Sequence, residues 1–271
     1  NIFYKNIRLL KKREQLKSLK NINYIYISSV NVNHYKDIKY SLLNKFNVIC
    51  EKPICLKSSQ LKILSKISKK KKVKFFEMIQ YKHHPVFLKL KEILKKNIIG
   101  KIKNVKSEFK IPLKDKKNIR FKKELGGGAI NDVGFYPISI MFTLFESKEI
   151  KILKKKILKE NKLDIKGSLN AKNENEILFK LAWGFKSPYK NFIKIKGTRG
   201  EIETKFIFSK KVIQGSEIII KNSRRKIIKI KKANQINLAF NDILKSKIIK
   251  FEKATELSSK ILNVTESLIK K

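Results

Sequence analysis

Cysteine is almost missing from this sequence. The two present, Cys50 and Cys55, have a spacing that fits neither a redox nor a zinc motif, so buried, reduced thiols are expected in place of a disulfide framework. Glycine and proline are scarce too, at 10 and 5 of 271 residues, and the chain carries no long linker and no internal repeat. It also lacks a long apolar run. The most apolar stretch, 129–145, holds Asn131 and Asp132 and falls short of the roughly 20 residues that a spanning helix needs. Lys5 and Arg8 interrupt the first ten residues, which excludes the reading of a secretory signal there. A soluble, cytoplasmic protein with no membrane partner is expected. The sequence starts at Asn1 rather than Met, and the expectation is a fragment of a longer reading frame. A length of 271 residues suits about two domains.

Acidic residues are few, 22 against 66 lysines and arginines, for a net charge of +44. Such a balance invites a nucleic-acid reading. Nucleic-acid surfaces use arginine heavily, because its planar fork grips phosphates and base edges. Here arginine occurs only at positions 8, 13, 120, 199, 224 and 225. Lysine, isoleucine and asparagine are inflated together while glycine, alanine and proline are depleted. That is the signature of a compositional bias toward A and T in the coding sequence, and nucleic acid is not the expected partner.

What is present alternates. Tyr24–Ile27, Asn47–Cys50 and Val73–Phe76 read as short buried strands. Between them, 37–45 and 58–72 are helical in pattern, the second with Ser58 as a possible cap. A surface helix is expected over 9–19. Strand–helix alternation predicts a parallel, doubly wound sheet. Beyond about residue 80 the rhythm changes. A helix over 86–96 leads to alternating segments at 102–111, 150–158, 163–169, 177–185, 192–195, 217–220 and 226–230, before a helical end from Asn234. The expected fold class is α/β plus α+β: an incomplete Rossmann-type parallel sheet over 1–79, then over 80–271 a domain with a large, mostly antiparallel sheet.

Residues able to do chemistry cluster where the first strands end, which is where open α/β sheets bind ligands. Ser28-Ser29-Val30-Asn31-Val32-Asn33-His34 follows the first strand and Glu51-Lys52-Pro53 the second. Glu77-Met78-Ile79-Gln80-Tyr81-Lys82-His83-His84-Pro85 follows the third. Pro53 keeps Lys52 out of a helical conformation. Farther on, Gly126-Gly127-Gly128-Ala129-Ile130-Asn131-Asp132-Val133-Gly134-Phe135-Tyr136-Pro137 puts Asp132 and Tyr136 four apart, on one face if helical. The glycines suggest a close backbone approach to substrate or cofactor. His83 and His84 are adjacent, point different ways and have no third ligand at a useful spacing, so no metal site is expected.

In this order and at these spacings the motifs, with Gly197-Thr198-Arg199-Gly200-Glu201-Ile202, resemble the glucose–fructose oxidoreductase and inositol dehydrogenase family, Gfo/Idh/MocA, from about Tyr4 to the C-terminus. Val30 stands where that family usually has proline and Lys82 where arginine is common. The family opens with a strand, a Gly-x-Gly-x-x-Gly turn and a helix holding the pyrophosphate. No such turn occurs here, and the resemblance implies an N-terminally truncated chain.

It implies NAD or NADP as cofactor and a sugar, sugar derivative or polyol as substrate, in a homodimer or homotetramer formed through the second-domain sheet. By the same resemblance Ser28, Ser29, Asn31 and His34 line the cofactor's ribose and nicotinamide. Glu51 contacts the nicotinamide ribose, and Lys52 lies between nicotinamide and substrate hydroxyl. Tyr136 transfers the proton, Asp132 holds the substrate, and Lys82 and Arg120 stand on the substrate side. Free tyrosine and lysine titrate near ~10 and ~10.4. A neighbouring ammonium is expected to lower the tyrosine, and a cationic nicotinamide the lysine. The blander readings make Lys52 a solvated charge, Tyr136 a packing residue and Asp132 a helix cap. Two other classes remain, a cofactor-less scaffold derived from this family and a lysine-rich nucleic-acid-binding protein.

Overall fold

The computed structural model describes residues 13–18, 21–245 and 248–269. Strands β1 (Tyr24–Ile27), β2 (Asn47–Cys50) and β3 (Phe75–Glu77) form a parallel sheet in that order. Their near-continuous apolar runs are explained by cover on both faces. Helices α1 (Asn31–Leu43) and α2 (Ser58–Lys71) bury Ile38, Leu42, Leu61 and Leu64 against Ile27 and Val48. The other face receives helices from the far end of the chain, α5 (Gln235–Leu244) and α6 (Ile248–Ile269). Ala239 and Ile243 pack on Ile49, Phe76 and Met78, and Phe251 meets the rings of Phe75 and Phe76 edge-on at 5.4 and 5.5 Å.

Local differences from the sequence reading have simple causes. Helix α1 begins at Asn31, so residues expected in a loop form its first turn, with Val30 already accepting from the Asn33 amide at 2.8 Å. Ser58 is not the cap of α2. That position belongs to Lys57, whose amide is met by the Gln60 side chain at 3.2 Å, while the Ser58 hydroxyl donates to Glu266 of α6 at 2.7 Å. Of the helix expected over 9–19, Arg13–Ser18 is a 3-10 turn and the remainder lies outside the described residues.

After helix α3 (Pro85–Lys95) comes a mixed eight-stranded sheet. Its strands are β4 (Ile102–Lys110), β5 (Ile150–Glu160), β6 (Leu163–Asn173), β7 (Leu178–Gly184), β8 (Lys190–Gly197), β9 (Glu201–Lys205), β10 (Ser216–Lys221) and β11 (Arg225–Ile230). They lie in the order β11-β10-β9-β8-β4-β7-β6-β5. Only the β4–β7 pair is parallel; the other neighbours run antiparallel. The expected fold class is the observed one. Strand β9 escaped the pattern reading because it follows the Gly197–Gly200 turn at once.

Helix α4 (Phe135–Thr143) lies against this sheet with every residue buried. A helix buried on all sides has no polar stripe, which accounts for the apolar stretch noted above. No helix among the described residues is long and apolar enough to cross a membrane.

Candidate active site

The two sheets meet at the C-terminal ends of β1–β3, and the meeting point is a buried ion pair. Glu-Lys-Pro leaves β2 with a cis Lys52–Pro53 peptide. Its Lys52 Nζ donates to Asp132 Oδ1 at 2.7 Å and to the Asp132 backbone carbonyl at 3.1 Å. The side chains are 12% and 16% exposed, so water screens the contact little. Arg120 reaches the second carboxylate oxygen, Nε to Oδ2 at 2.6 Å. The Lys52 ammonium also stands 5.0 Å from the centre of the Tyr136 ring. Residues 52, 120, 132 and 136, from three separate segments, thus form one cluster.

The segment carrying Asp132 explains why its carbonyl is free for Lys52. Ile130–Gly134 is a π turn, with the Gly134 amide bonded to the Ala129 carbonyl at 2.7 Å. In that register the donor to carbonyl 132 is the amide of residue 137, a proline with no N–H. Widened turns of this kind recur at functional sites.

Burial is the largest influence on all three ionisable groups at the centre. It works against the Lys52 ammonium but is outweighed by Asp132, Tyr136 and Glu51, which together hold Lys52 above its ordinary value. It likewise opposes the Asp132 carboxylate, yet Lys52 and Arg120 pull that group below its ordinary range. For Tyr136 burial wins. Lys52 favours the phenolate, as does a hydrogen bond with the Gln80 side chain, but the phenol remains raised. The expected lowering of the tyrosine by a neighbouring ammonium is present and insufficient, and without a cationic ligand Lys52 is raised rather than lowered.

The remaining sequence candidates divide. Ser28 and Ser29 are exposed at the end of β1, and the Ser29 hydroxyl donates to Asp37 at 2.7 Å. The Glu51 carboxylate accepts from the Tyr26 phenol at 2.7 Å. His34 is not a surface ligand: it is fully buried, with Nδ1 and Nε2 each 2.8 Å from a carbonyl, those of Pro53 and Ser29. It fastens the first loop to the Glu-Lys-Pro turn. Asn31 also positions, its amide donating to the Gly126 carbonyl at 2.9 Å. Lys82 lies in the turn Gln80–His83 and acts on buried Glu77. His83 pairs with Asp242 at 3.1 Å, and His84 caps α3 by accepting from the Val86 amide. Among the described residues no group of three or more potential ligands could hold a metal ion.

The glycine run does mark a close approach, but to the chain itself. A Cβ on Gly127 would lie 2.5 Å from the Arg120 carbonyl, and one on Gly128, at φ +112°, 2.4 Å from Asp164 Oδ1. Two residues of this region went unassigned in the sequence. Gln80 touches the Tyr136 phenol and keeps a buried carbonyl oxygen with no partner. Asp164 accepts from the Ile130 amide at 2.6 Å. Gln80 sat inside a recognised cluster, whereas nothing in the sequence distinguishes Asp164 from any acidic residue in a strand.

Comparison with known proteins bears on the family and the fold. Among curated relatives, a dTDP-3,4-didehydro-2,6-dideoxy-alpha-D-glucose 3-reductase of Actinomadura kijaniata is 25% identical over 190 residues, 69% of this chain and 57% of its own length. A trans-1,2-dihydrobenzene-1,2-diol dehydrogenase of Xenopus tropicalis is 27% identical over 191 residues, 70% of this chain and 58% of its own. This chain therefore spans little more than half the length of these relatives. The crystal structure of a 3-ketoreductase from Actinomadura kijaniata, in complex with NADP and TDP-benzene, superposes with a TM-score of 0.88 at 18% identity, over 96% of this chain and 81% of that one. It shows the same fold. Residues 3–79 match the oxidoreductase family with an NAD-binding Rossmann fold, residues 87–203 match the GFO/IDH/MocA C-terminal domain, and the chain belongs to the Gfo/Idh/MocA oxidoreductase family.

Proposed function

We propose that this chain forms the nicotinamide- and substrate-facing part of an NAD(P)-dependent oxidoreductase acting on a sugar, sugar derivative or polyol. The observation that carries the proposal is the Lys52–Asp132–Tyr136 cluster, built jointly by the two sheets at the strand ends. The residues present suit a nicotinamide nucleotide. Ser28, Ser29 and Glu51 stand at the strand ends, and Gln80, hydrogen-bonded to the Tyr136 phenol, keeps its carbonyl oxygen without a partner as an acceptor for a hydroxyl. The names of the relatives, a sugar reductase and a diol dehydrogenase, support the substrate class.

The cofactor, when bound, supplies or takes the hydride. The protein's own share is proton handling and orientation. Lys52, held charged by Asp132, donates a hydrogen bond to the substrate oxygen and stabilises negative charge gathering there. Tyr136 carries its proton at neutral pH, as a phenol does, and is the donor in reach for carbonyl reduction; burial weakens it as an acid, and the Lys52 ammonium offsets part of that. Arg120, 44% exposed, ties Asp132 down from the solvent side and offers its remaining donors to substrate hydroxyls.

The test is turnover of the purified chain with NADH and NADPH against sugar ketones, and with NAD and NADP against cyclic polyols, followed by nicotinamide absorbance. Turnover in either direction supports the proposal. Absence of both turnover and nicotinamide binding overturns it and favours the scaffold reading.

The eight-stranded sheet supports a homodimer or homotetramer, since helix α4 covers one face while the other carries Glu108 and Glu201, each among lysines. Light scattering on the eluted protein decides between monomer and oligomer. A cytoplasmic location is part of the same proposal, supported by the two free, buried cysteines.

A further inference from the structure

The turn that carries Asp132 is held from below at two points, and neither belongs to the cluster itself. At its start, consecutive amides converge on one residue at the head of β6. The Ala129 N–H donates to the Asp164 backbone carbonyl at 2.9 Å, and the Ile130 N–H to Asp164 Oδ2 at 2.6 Å. Asp164 is 8% exposed, and the carboxylate fills the space that a side chain on Gly128 would need. Amides at the start of a helical segment have no partner within it and stay unsatisfied unless something outside accepts. Here the acceptor comes from the second sheet.

At the end of the turn the support is a ring. Trp183 of β7 is fully buried. A Cβ on Gly134 would lie 3.0 Å from its Cγ, and one on Gly167, its partner across β6–β7, 2.5 Å from its Cζ2. The indole therefore sits between two glycine backbones, with Gly134 resting on one side of the ring. Its Nε1 has no hydrogen-bond partner, so the ring acts on the turn through packing alone.

We infer that Asp164 and Trp183 are positioning residues, a two-point clamp through which the second sheet sets the height and register of the Ile130–Gly134 turn. Through it they set the contact between Asp132 and Lys52. The inference rests on the reading of Asp132, Lys52 and Tyr136 as the reacting centre, but its structural content stands apart from any activity. Neither residue touches that centre. They act on the π register, which leaves the Asp132 carbonyl and carboxylate both turned to Lys52.

The experiment compares wild type with Asp164→Ala, Asp164→Asn and Trp183→Phe, by crystal structure and by steady-state kinetics. Asp164→Ala is expected to lose the π turn and to lengthen the Lys52–Asp132 contact beyond hydrogen-bonding range. It lowers kcat about 10²-fold, the scale of an ångström's misplacement, while the KM for the nicotinamide cofactor changes little. Asp164→Asn keeps an oxygen acceptor and restores both turn and kcat. Trp183→Phe lets the Gly134 end sink and carries the same test should Asp164→Ala not fold.

An unchanged turn and an intact Lys52–Asp132 contact in both Asp164→Ala and Trp183→Phe overturn the inference. So does a fall in kcat without any change in the turn. Wild type without turnover counts against the proposed function alone, since the crystallographic comparison still decides the clamp.

Discussion

Two carboxylates in this molecule are each surrounded by cations, in different settings. Asp132 takes Lys52 from the end of β2 and Arg120 from the 3-10 turn Ile119–Phe121, at 2.7 and 2.6 Å. Glu108 on β4 takes Lys106 and Lys110 from its own strand and Lys190 from the next, at 3.4, 2.7 and 3.4 Å. Both are held below their ordinary pKa, with burial opposing and the cations prevailing. Glu108, though, has no phenol beside it and does not join the two sheets. In a chain of net charge +44, a carboxylate among lysines is no mark of function by itself. What sets the Asp132 cluster apart is the phenol beside it and its place at the strand ends where the two sheets meet.

The largest expected effect that sharpens this contrast is on chemistry. Tyr136→Phe should fold as wild type and lose about 10²- to 10⁴-fold in kcat, the range of a general acid. Full turnover in that variant ends the assignment of Tyr136. Glu108→Gln should leave kcat unchanged.

Next is the energy of the pair that joins the halves. Asp132→Ala strands a buried ammonium and should cost about 3 kcal/mol, part of which Lys52→Met in the same chain restores. A urea-denaturation double-mutant cycle measures this, and strictly additive losses would show that the two groups do not communicate.

Asp164 supplies a pH test. Burial pushes its carboxyl up to about 6, against backbone amides that pull it down. An acid raised on folding is favoured in its protonated form, so the ionised residue costs stability above pH 6, and the cost fades as pH falls toward the unfolded value near ~3.9. The shift of about two pH units corresponds to about 3 kcal/mol. Relative to wild type, Asp164→Asn should gain stability by that order between pH 4 and pH 7. A difference that stays flat with pH contradicts the placement of Asp164.

The smallest effect belongs to Glu108→Gln on stability. With a depressed folded pKa, the carboxylate stabilises the protein above the unfolded glutamate value near ~4.3 and loses that contribution as pH falls through the folded one. Two of its partner lysines are about half exposed and the nearest, Lys110, is 24% exposed, and the loss at neutral pH should stay near ~1 kcal/mol. A larger loss would make the open face of the sheet, rather than the Asp132 cluster, the principal electrostatic anchor of the fold.

The first three strands were legible in the sequence because a strand covered on both faces must be apolar almost throughout, as Asn47–Cys50 is. Lys52, Asp132 and Tyr136 were legible through motif and spacing, and the structure brings them together. The protonation of Tyr136 was not, because the balance between an ammonium at its ring and full burial depends on how tightly α4 is packed. Nor was the setting of His34, which the resemblance placed beside the cofactor and whose two ring nitrogens are both engaged by carbonyls. The parallel pairing of β4 with β7 joins residues some 70 positions apart, and no local pattern encodes it. Asp164 belongs to the same category: its amide partners lie 34 and 35 residues earlier in the chain, so its importance arises only when β6 folds beneath the π turn. By itself the sequence determined the elements, the split into two sheet systems and, through the family resemblance, the candidates for the cluster, because apolar periodicity and motif spacing are local properties. Tertiary structure alone decided which sheet edges pair, which polar groups face each other and which protons stay bound, because those depend on distances and burial between segments remote in the chain.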